Sequence, residues 1–455
     1  MSVYSSYQST DLPWIKGIPR HWNMVRNGAL LDWKQHKVGK AHKQFDVLSL
    51  TTKGVRVKDI NDARGKVPTS YESYQEVLPK DMVFCLFDLD CSAVFSGKSN
   101  YHGMITSAYD VATPVESAIN PSFLDYWFSS VFAGRHFKIY SKSVRYTINW
   151  DIFKAIKMPV PPREEQDQIV RYLDWQVSKI NKLIAAKKKQ ILLLTAKKQT
   201  VVSDAITHGL NPKAAMKYSG IEWLGDIPAH WKIVKLRSIL SAFLEKGHPK
   251  MQLLSVVREQ GVIIRDIEDN KSNHNFIPDD LSGYKVVRKN QFIMNKMKAW
   301  QGSYGISQYD GIVSPAYFVF NVNFKNLEYF HYAIRSKVYV NFFAQASGGI
   351  RVGQWDLSID KMKDIPFLLP PKEEQTEIVK HISMQLTTIE KAILVIQSQI
   401  DTLHELRTRL ISDVVTGQID VRGIKVPDFE MVEEANTDES HDENETTEEV
   451  EEQEE

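Results

Sequence analysis

The sequence predicts an α+β protein made of two copies of one unit. Each copy is a globular domain followed by a long helix, and the two helices are expected to form an antiparallel coiled coil. Three observations carry this prediction. Pro161-Pro162-Arg163-Glu164-Glu165-Gln166 returns 209 residues later as Pro370-Pro371-Lys372-Glu373-Glu374-Gln375. The same offset aligns Ile18-Pro19-Arg20-His21-Trp22 with Ile227-Pro228-Ala229-His230-Trp231, Ser203-Asp204 with Ser412-Asp413, and Thr207 with Thr416. Each Pro-Pro stretch also opens a long run with apolar residues at heptad spacing. One offset shared by separate segments marks an internal repeat, which has to be recognised before a fold is assigned.

The helices come first. Proline suits the first position of a helix, and acidic residues there complement the helix dipole. Pro162 and Pro371 therefore mark helix starts. Steps of four and three from Leu173 reach Val177, Ile180, Ile184, Lys187, Ile191, Leu194, Lys198, Val201 and Ala205. The second copy gives Ile382, Leu386, Ile389, Ile393, Ile396, Ile400, Leu403, Arg407, Leu410 and Val414 in the same register. A seam sustained this long argues for a coiled coil over a simple core helix. Two matched seams in one chain are natural partners, and a near-twofold repeat sets them antiparallel. Lys198 and Arg407 are basic at the same heptad step, as expected of a polar residue that fixes register. Gly209 and Gly417 close the two helices.

Taken in order, the chain divides into 1–160, a first globular domain; 161–209, its long helix; 210–369, a second domain; 370–424, the second helix; and 425–455, an acidic tail expected to be disordered. Met1 to about Asp11 is polar and is expected to be loose. The repeated Trp-Pro-His-Trp clusters read as packed lead-in loops, because the same motif in both copies suggests a shared structural job. Val83–Leu86, Gln291–Met294 and Tyr317–Phe320 read as strands. Short helices are expected around Phe123–Phe132 and Leu327–Phe343.

Composition sets limits. A chain of 455 residues with 43% hydrophobic content should hold two or three domains of an ordinary soluble protein. No signal peptide or spanning apolar run is present, and Cys85 and Cys91 show no metal-ligand spacing, so a reducing cytoplasm is expected. Cys85 lies in an apolar run and is assigned to the core. The net charge of +1 hides an asymmetry. Residues 430–455 hold 14 of the 56 Asp and Glu and no Lys or Arg, which leaves the rest with 57 basic against 42 acidic residues, a net of +15. A basic body points to a polyanionic partner. The tail is read as solubilising in preference to a regulatory mimic of DNA.

Catalytic signatures fail one by one. Gly97-Lys98-Ser99 resembles the end of a phosphate-binding loop, but position 92, where the pattern needs glycine, is Ser92. No Gly-rich turn suits a dinucleotide or S-adenosylmethionine, and no HExxH occurs. Pro278-Asp279 lacks the Glu-x-Lys of a nuclease site. The chain is expected to catalyse nothing alone, to bind no cofactor and to hold no metal.

What remains is recognition chemistry. Gly97–His102 and the loop Asn295–Gln301 are rich in basic, amide and aromatic side chains, as are Ser141–Tyr146 and Ser347–Arg351. Arg reads guanine bidentately, Asn and Gln read adenine, and Lys holds phosphates. The DNA-contact candidates are Lys98, Asn100, Lys142, Arg145, Lys296, Lys298, Gln301 and Arg351. Arg145 and Arg351 stand out, because both copies keep an aliphatic-Arg pair ahead of the long helix.

These residues resemble the specificity subunit of type I DNA restriction–modification systems. The twin Ile-Pro-x-His-Trp and Pro-Pro-(Arg/Lys)-Glu-Glu-Gln motifs carry the likeness. So do Met297-Lys298-Ala299-Trp300-Gln301-Gly302 and Gly311-Ile312-Val313-Ser314-Pro315-Ala316-Tyr317. The resemblance implies two target-recognition domains, each reading half of a split, asymmetric site on double-stranded DNA, with the long helices as spacer and dock. It implies two modification (methyltransferase) subunits that methylate adenine with S-adenosylmethionine. It also implies restriction (motor and nuclease) subunits that use ATP and Mg2+, with no membrane role. The acidic tail departs from the family pattern. A coiled-coil scaffold without DNA binding, and a DNA-modifying enzyme with an unrecognised site, stand as alternatives at this point.

Overall fold

The computed structural model describes residues 3–52, 54–58, 70–258, 260–265, 277–278, 280–349 and 355–434. The chain forms two compact units. The first combines Met1–Lys188 with Ser398–Ala435; among the described residues the second is Lys189–Gln397. The helices are α1 (Pro121–Ala133), α2 (Trp150–Ala155), α3 (Arg163–His208), α4 (Leu327–Arg335), α5 (Lys337–Ala346), α6 (Ile359–Lys363) and α7 (Lys372–Val415).

In the first unit an antiparallel sheet runs in the order Leu31–Lys34, Asp110–Pro114, Met82–Phe84, Ser96–Lys98. A second sheet orders Gly54–Val57, Asp46–Thr51, Gly103–Ile105 and Gln75–Val77, with a parallel pairing between Asp46–Thr51 and Gly103–Ile105. Met82–Phe84 is buried throughout, so its apolar run is a central strand rather than an amphipathic one. Phe84 packs against Phe128 of α1 and Phe153 of α2, with ring centroids 5.0 and 4.8 Å away. Burial of each such ring is worth about 2–3 kcal/mol and ties both helices to the sheet. Cys85 is buried in a separate cluster between the two sheets, with Val83, Val111 and Leu48.

The second unit repeats the plan. Its sheet runs Leu240–Ala242, Tyr317–Val322, Phe292–Asn295, Tyr304–Ile306. Phe292, Phe330 and Phe367 hold α4 to the sheet. The helix expected over Leu327–Phe343 is two helices. At Ser336 the backbone turns extended (φ −65°, ψ 153°), which ends α4 and starts α5 with both apolar faces still inward.

In each unit the lead-in strand pairs with the strand that feeds a long helix. Asn23–Arg26 pairs antiparallel with Lys157–Val160, and Lys232–Lys235 with Pro366–Leu369. The helices start one residue after Pro162 and Pro371, whose carbonyls accept the first helical bonds. α3 has 46 residues and α7 has 44. Every seam position from Leu173 to Ala205 and from Ile382 to Val414 is buried or half-buried, while most positions between them are exposed. The pairing is antiparallel. In the first unit Asn181 Oδ1 accepts from Arg407 and Lys187 Nζ donates to Gln399, so partner numbers fall along α7 as they rise along α3. In the second unit Lys198 meets Glu390 at 2.7 Å.

The tail assigned to 425–455 is not loose from its start. As far as Glu434 it lies on the first unit, where the Val432 backbone hydrogen-bonds to Ser178 and Asn181 and Glu430, Glu433 and Glu434 pair with Lys182, Arg56 and Arg407. Those hydrogen bonds satisfy an extended backbone that has no strand to pair with, and that is why it stays in place. Residues 435–455 lie outside the described residues.

Candidate nucleic-acid interface

The repeated motifs meet each other. Glu165, 6% exposed, accepts from Trp22 Nε1 (3.1 Å) and Tyr4 Oη (2.6 Å) on Oε1, and contacts His21 Nε2 (2.7 Å) through Oε2. Glu374 holds Trp231 Nε1 (3.0 Å) and His230 Nε2 (2.8 Å) in the second unit. The neighbouring glutamines each donate to the first proline carbonyl, Gln166 to Pro161 and Gln375 to Pro370. Gln166 also accepts from the backbone of Asn120, the N-cap of α1. In each copy the His-Trp pair and the Glu-Gln pair thus form a pin that aims the domain relative to its own long helix.

The helix ends complete this pin. Gly417 (φ +73°) follows α7 and packs on Pro19 and Trp22; Gly209 (φ +71°) follows α3 and packs on Trp231 and Glu374. A Cβ on Gly209 would lie 2.8 Å from Glu374 Oε1 and 3.2 Å from Trp231, so glycine is required for space as well as for backbone conformation.

The recognition candidates fall into separate places. In the first unit, Lys98 and Asn100 line a cleft of about 490 Å3 with Arg56, Asp125, Asp174 and Arg407. Lys98 is turned inward: its backbone N–H donates to Asp125 (3.0 Å) and its Nζ to Ser122 Oγ (2.8 Å). Burial pushes the carboxyls of Asp125 and Asp174 above the usual range, and the Lys98 charge opposes that rise. Asn100 is exposed.

Lys142 and Arg145 do not line this cleft. They stand on an exposed loop whose tip is Val144, 96% exposed. Arg145 is itself 77% exposed at its side chain and forks onto Asp88 through Nε (3.1 Å) and Nη2 (3.0 Å). The Asp88 bond holds the guanidinium above its ordinary pKa. Asp88 and Tyr146 both take positive φ (52° and 47°) where the two loops join. Asp88 was invisible as a partner in the sequence, because 57 residues separate it from Arg145.

In the second unit, Lys296, Lys298 and Gln301 share one turn closed by Asn295, whose side chain accepts from the Met297 backbone. Lys296 Nζ pairs with Asp356 at 3.0 Å, and Trp300 packs on Trp355 at 5.1 Å. Arg351 lies outside the described residues. Among the described residues no group of His, Cys, Asp and Glu could hold a metal, and no helix is long and apolar enough to cross a membrane.

Comparison with known proteins bears on this arrangement. The profile of the type I restriction modification DNA specificity domain matches residues 79–193 and 228–397, more than half the chain and once in each copy. A Methanocaldococcus jannaschii protein named as the specificity subunit of type I restriction enzyme MjaX is 22% identical over 439 residues, 89% of this chain and 95% of that protein. The MjaVIII specificity subunit of the same organism is 25% identical over 298 residues, 60% of this chain and 64% of that protein. A solved chain from work on complex assembly and conformational transition of the type I restriction–modification system shares the fold. Its TM-score is 0.59 at 12% identity, over 88% of this chain and 99% of that one. The chain belongs to the type I restriction–modification DNA specificity family, and its role is to give such a complex its DNA sequence specificity.

Proposed function

We propose that this chain reads a split, asymmetric DNA site, one half per domain, and carries two modification subunits and the restriction subunits to it. The observation that supports this most is a matched scaffold under unmatched loops. The pins at Glu165 and Glu374 use identical residue types at identical spacing, whereas the loops that join equivalent strands, 85–95 after Met82–Phe84 and 296–303 after Phe292–Asn295, differ in sequence, length and charge: Asp88 receives Arg145 in the first, and Lys296 donates to Asp356 in the second. A fixed frame with two different readers is what two different half-sites require. In this reading the partners supply S-adenosylmethionine, ATP and Mg2+ chemistry, and this chain binds none of these and catalyses nothing itself.

Docking of partners has its own support. Off the seam, the second unit exposes Leu192 (69%), Leu193 (60%), Leu394 (69%) and Val395 (57%) on its helix pair. The first exposes Leu183 and Leu406, both at 52%. Apolar groups clustered this way on a helix pair mark a protein-binding face.

Adenine methylation across the host genome is the test. Replacing residues 25–155 with the same region of a related chain should change one half of the methylated sequence and leave the other. If both halves changed together, the two domains would not be independent readers.

A further inference from the structure

The start of the acidic tail occupies a prepared groove. Val432 is gripped on both sides of its peptide units: its N–H donates to Ser178 Oγ (3.1 Å) and its carbonyl accepts from Asn181 Nδ2 (2.8 Å). Ser178 and Asn181 are 2% and 5% exposed. The carboxylates then take the basic groups around them. Glu434 meets Arg407 (2.7 Å), Lys188 (3.5 Å) and His404 (3.7 Å), and Glu433 meets Arg56 at 2.6 Å. Glu430 reaches Lys182 at 3.4 Å. Burial disfavours the Glu434 carboxylate, but the Arg407 bond and the charges of His404 and Lys188 outweigh it, so the carboxyl sits below its ordinary range.

The repeat shows that this is more than a chance surface contact. In the second copy the position of Asn181 is Glu390, and the basic heptad residue there, Lys198, pairs with it directly. The first unit has no such acid on its helix. Its Arg407 takes the carboxylate from the tail instead, and Asn181 is left to hold the tail's backbone. The same cleft is lined by Lys98 and Asn100, candidates for DNA contact. Beyond the groove the chain continues with 11 more Asp and Glu in residues 435–455.

We propose that residues 430–434 are a releasable clip that holds the polyanionic C terminus on the first recognition domain, where it competes with DNA phosphates for Arg56, Lys188 and Arg407. The proposal rests on the DNA-reading function above. It makes the tail an intramolecular competitor: DNA must displace it, and salt that screens DNA also loosens the clip. Freeing the three cations should steepen the log–log dependence of affinity on salt by up to about 0.9 per phosphate they then neutralise.

The test uses the assembled complex with its partner subunits and a duplex carrying its methylation site, titrated from low to high salt. Three forms are compared with the full chain: one ending at Pro427, one carrying Glu433→Gln and Glu434→Gln, and one carrying Val432→Pro. Val432→Pro removes the N–H held by Ser178 and leaves every charge in place. All three should bind DNA more tightly at low salt, the truncation by on the order of tenfold, with the advantage closing as salt rises. Identical affinity and slope in all forms would overturn the clip. So would a gain on truncation that Val432→Pro does not share, since the tail would then act through net charge alone. A flat salt response in every form would instead remove the DNA-reading function, and the proposal with it.

Discussion

Replacing Glu165 with alanine should cost far more than replacing its counterpart Glu374, although both serve one motif. Glu165 is 6% exposed and satisfies two donors that are themselves buried, Tyr4 at 4% and Trp22 at 1%. His21 is 39% exposed at its side chain and can turn to water. Glu165→Ala therefore strands two buried donors at about 1–3 kcal/mol each, a total of about 3–5 kcal/mol once packing loss is included. Glu374 is 19% exposed at its side chain, and only Trp231 is a buried donor to it, since His230 is 50% exposed. Glu374→Ala should cost about 1–3 kcal/mol.

The two units should be followed separately, because one chain with two units need not unfold in a single step. Hydrogen exchange of the peptides over 18–26 and 227–235 in urea isolates each pin. A double-mutant cycle of Glu165→Gln with Trp22→Phe should show a coupling of about 1–2 kcal/mol. Equal losses for Glu165→Ala and Glu374→Ala, or a loss below about 1 kcal/mol at Glu165, would refute the claim that buried donors set the difference.

His331 gives the second unit an acid-sensitive point. Burial, helped by the nearby Arg335 charge, lowers its pKa from 6.5 to about 4. The unfolded chain binds that proton more readily, so the contribution is complete above pH 6.5 and is lost progressively down to about pH 4. The shift corresponds to about 3 kcal/mol, and His331→Phe should flatten the descent in pH-dependent unfolding curves. At Arg145 the two possible jobs separate cleanly. Arg145→Ala should relax one base position by about 1–3 kcal/mol if the side chain reads a base, or reduce the salt slope by about 0.9 if it holds a phosphate. No change in site selection or salt response would remove Arg145 from the interface. Finally, fragments 1–212 and 213–455 produced together should associate and bind DNA, whereas either alone should aggregate through its unpaired seam. Independent, monomeric, stable fragments would show that the helix pairing is dispensable.

The features legible in the sequence are those whose cause is local or periodic. The heptad seam could be read because water and core alternate along a helix, and every seam position is covered in the structure. The strands around Val83, Ile293 and Val319 were legible from apolar runs bounded by turns. The pins were legible as repeats but not as pairs, since the His and Glu in each lie 144 residues apart. The break at Ser336 left no mark because both halves keep an apolar face. Hardest were the charges. Nothing near Arg145 or Lys296 in the chain names Asp88 or Asp356 as the partner, so sequence chemistry could nominate cations but could not say which of them already hold an acid.

Repetition in sequence and compactness in space divide this chain differently, and the difference explains which residues repeat. The copies are offset by 209 residues, yet the first unit is closed by residues from the end of the second copy. Gly417 packs on Pro19 and Trp22, while Gly209, from the first copy, packs on Trp231. Each lead-in therefore receives the end of the other copy's helix, and each Trp is shared by a glutamate from its own copy and a glycine from the other. A change in one of these residues disturbs both copies at once, and its counterpart cannot drift independently. The loops carrying Lys98, Arg145 and Lys296 sit outside this mutual constraint, with partners drawn from their own copy. They are free to differ, which is what separate readers of separate half-sites need. Asn181 breaks the symmetry inside the constrained region itself. It stands where the second copy has Glu390, and the acid it lacks comes from Glu434, a residue of the tail, which only one unit can receive.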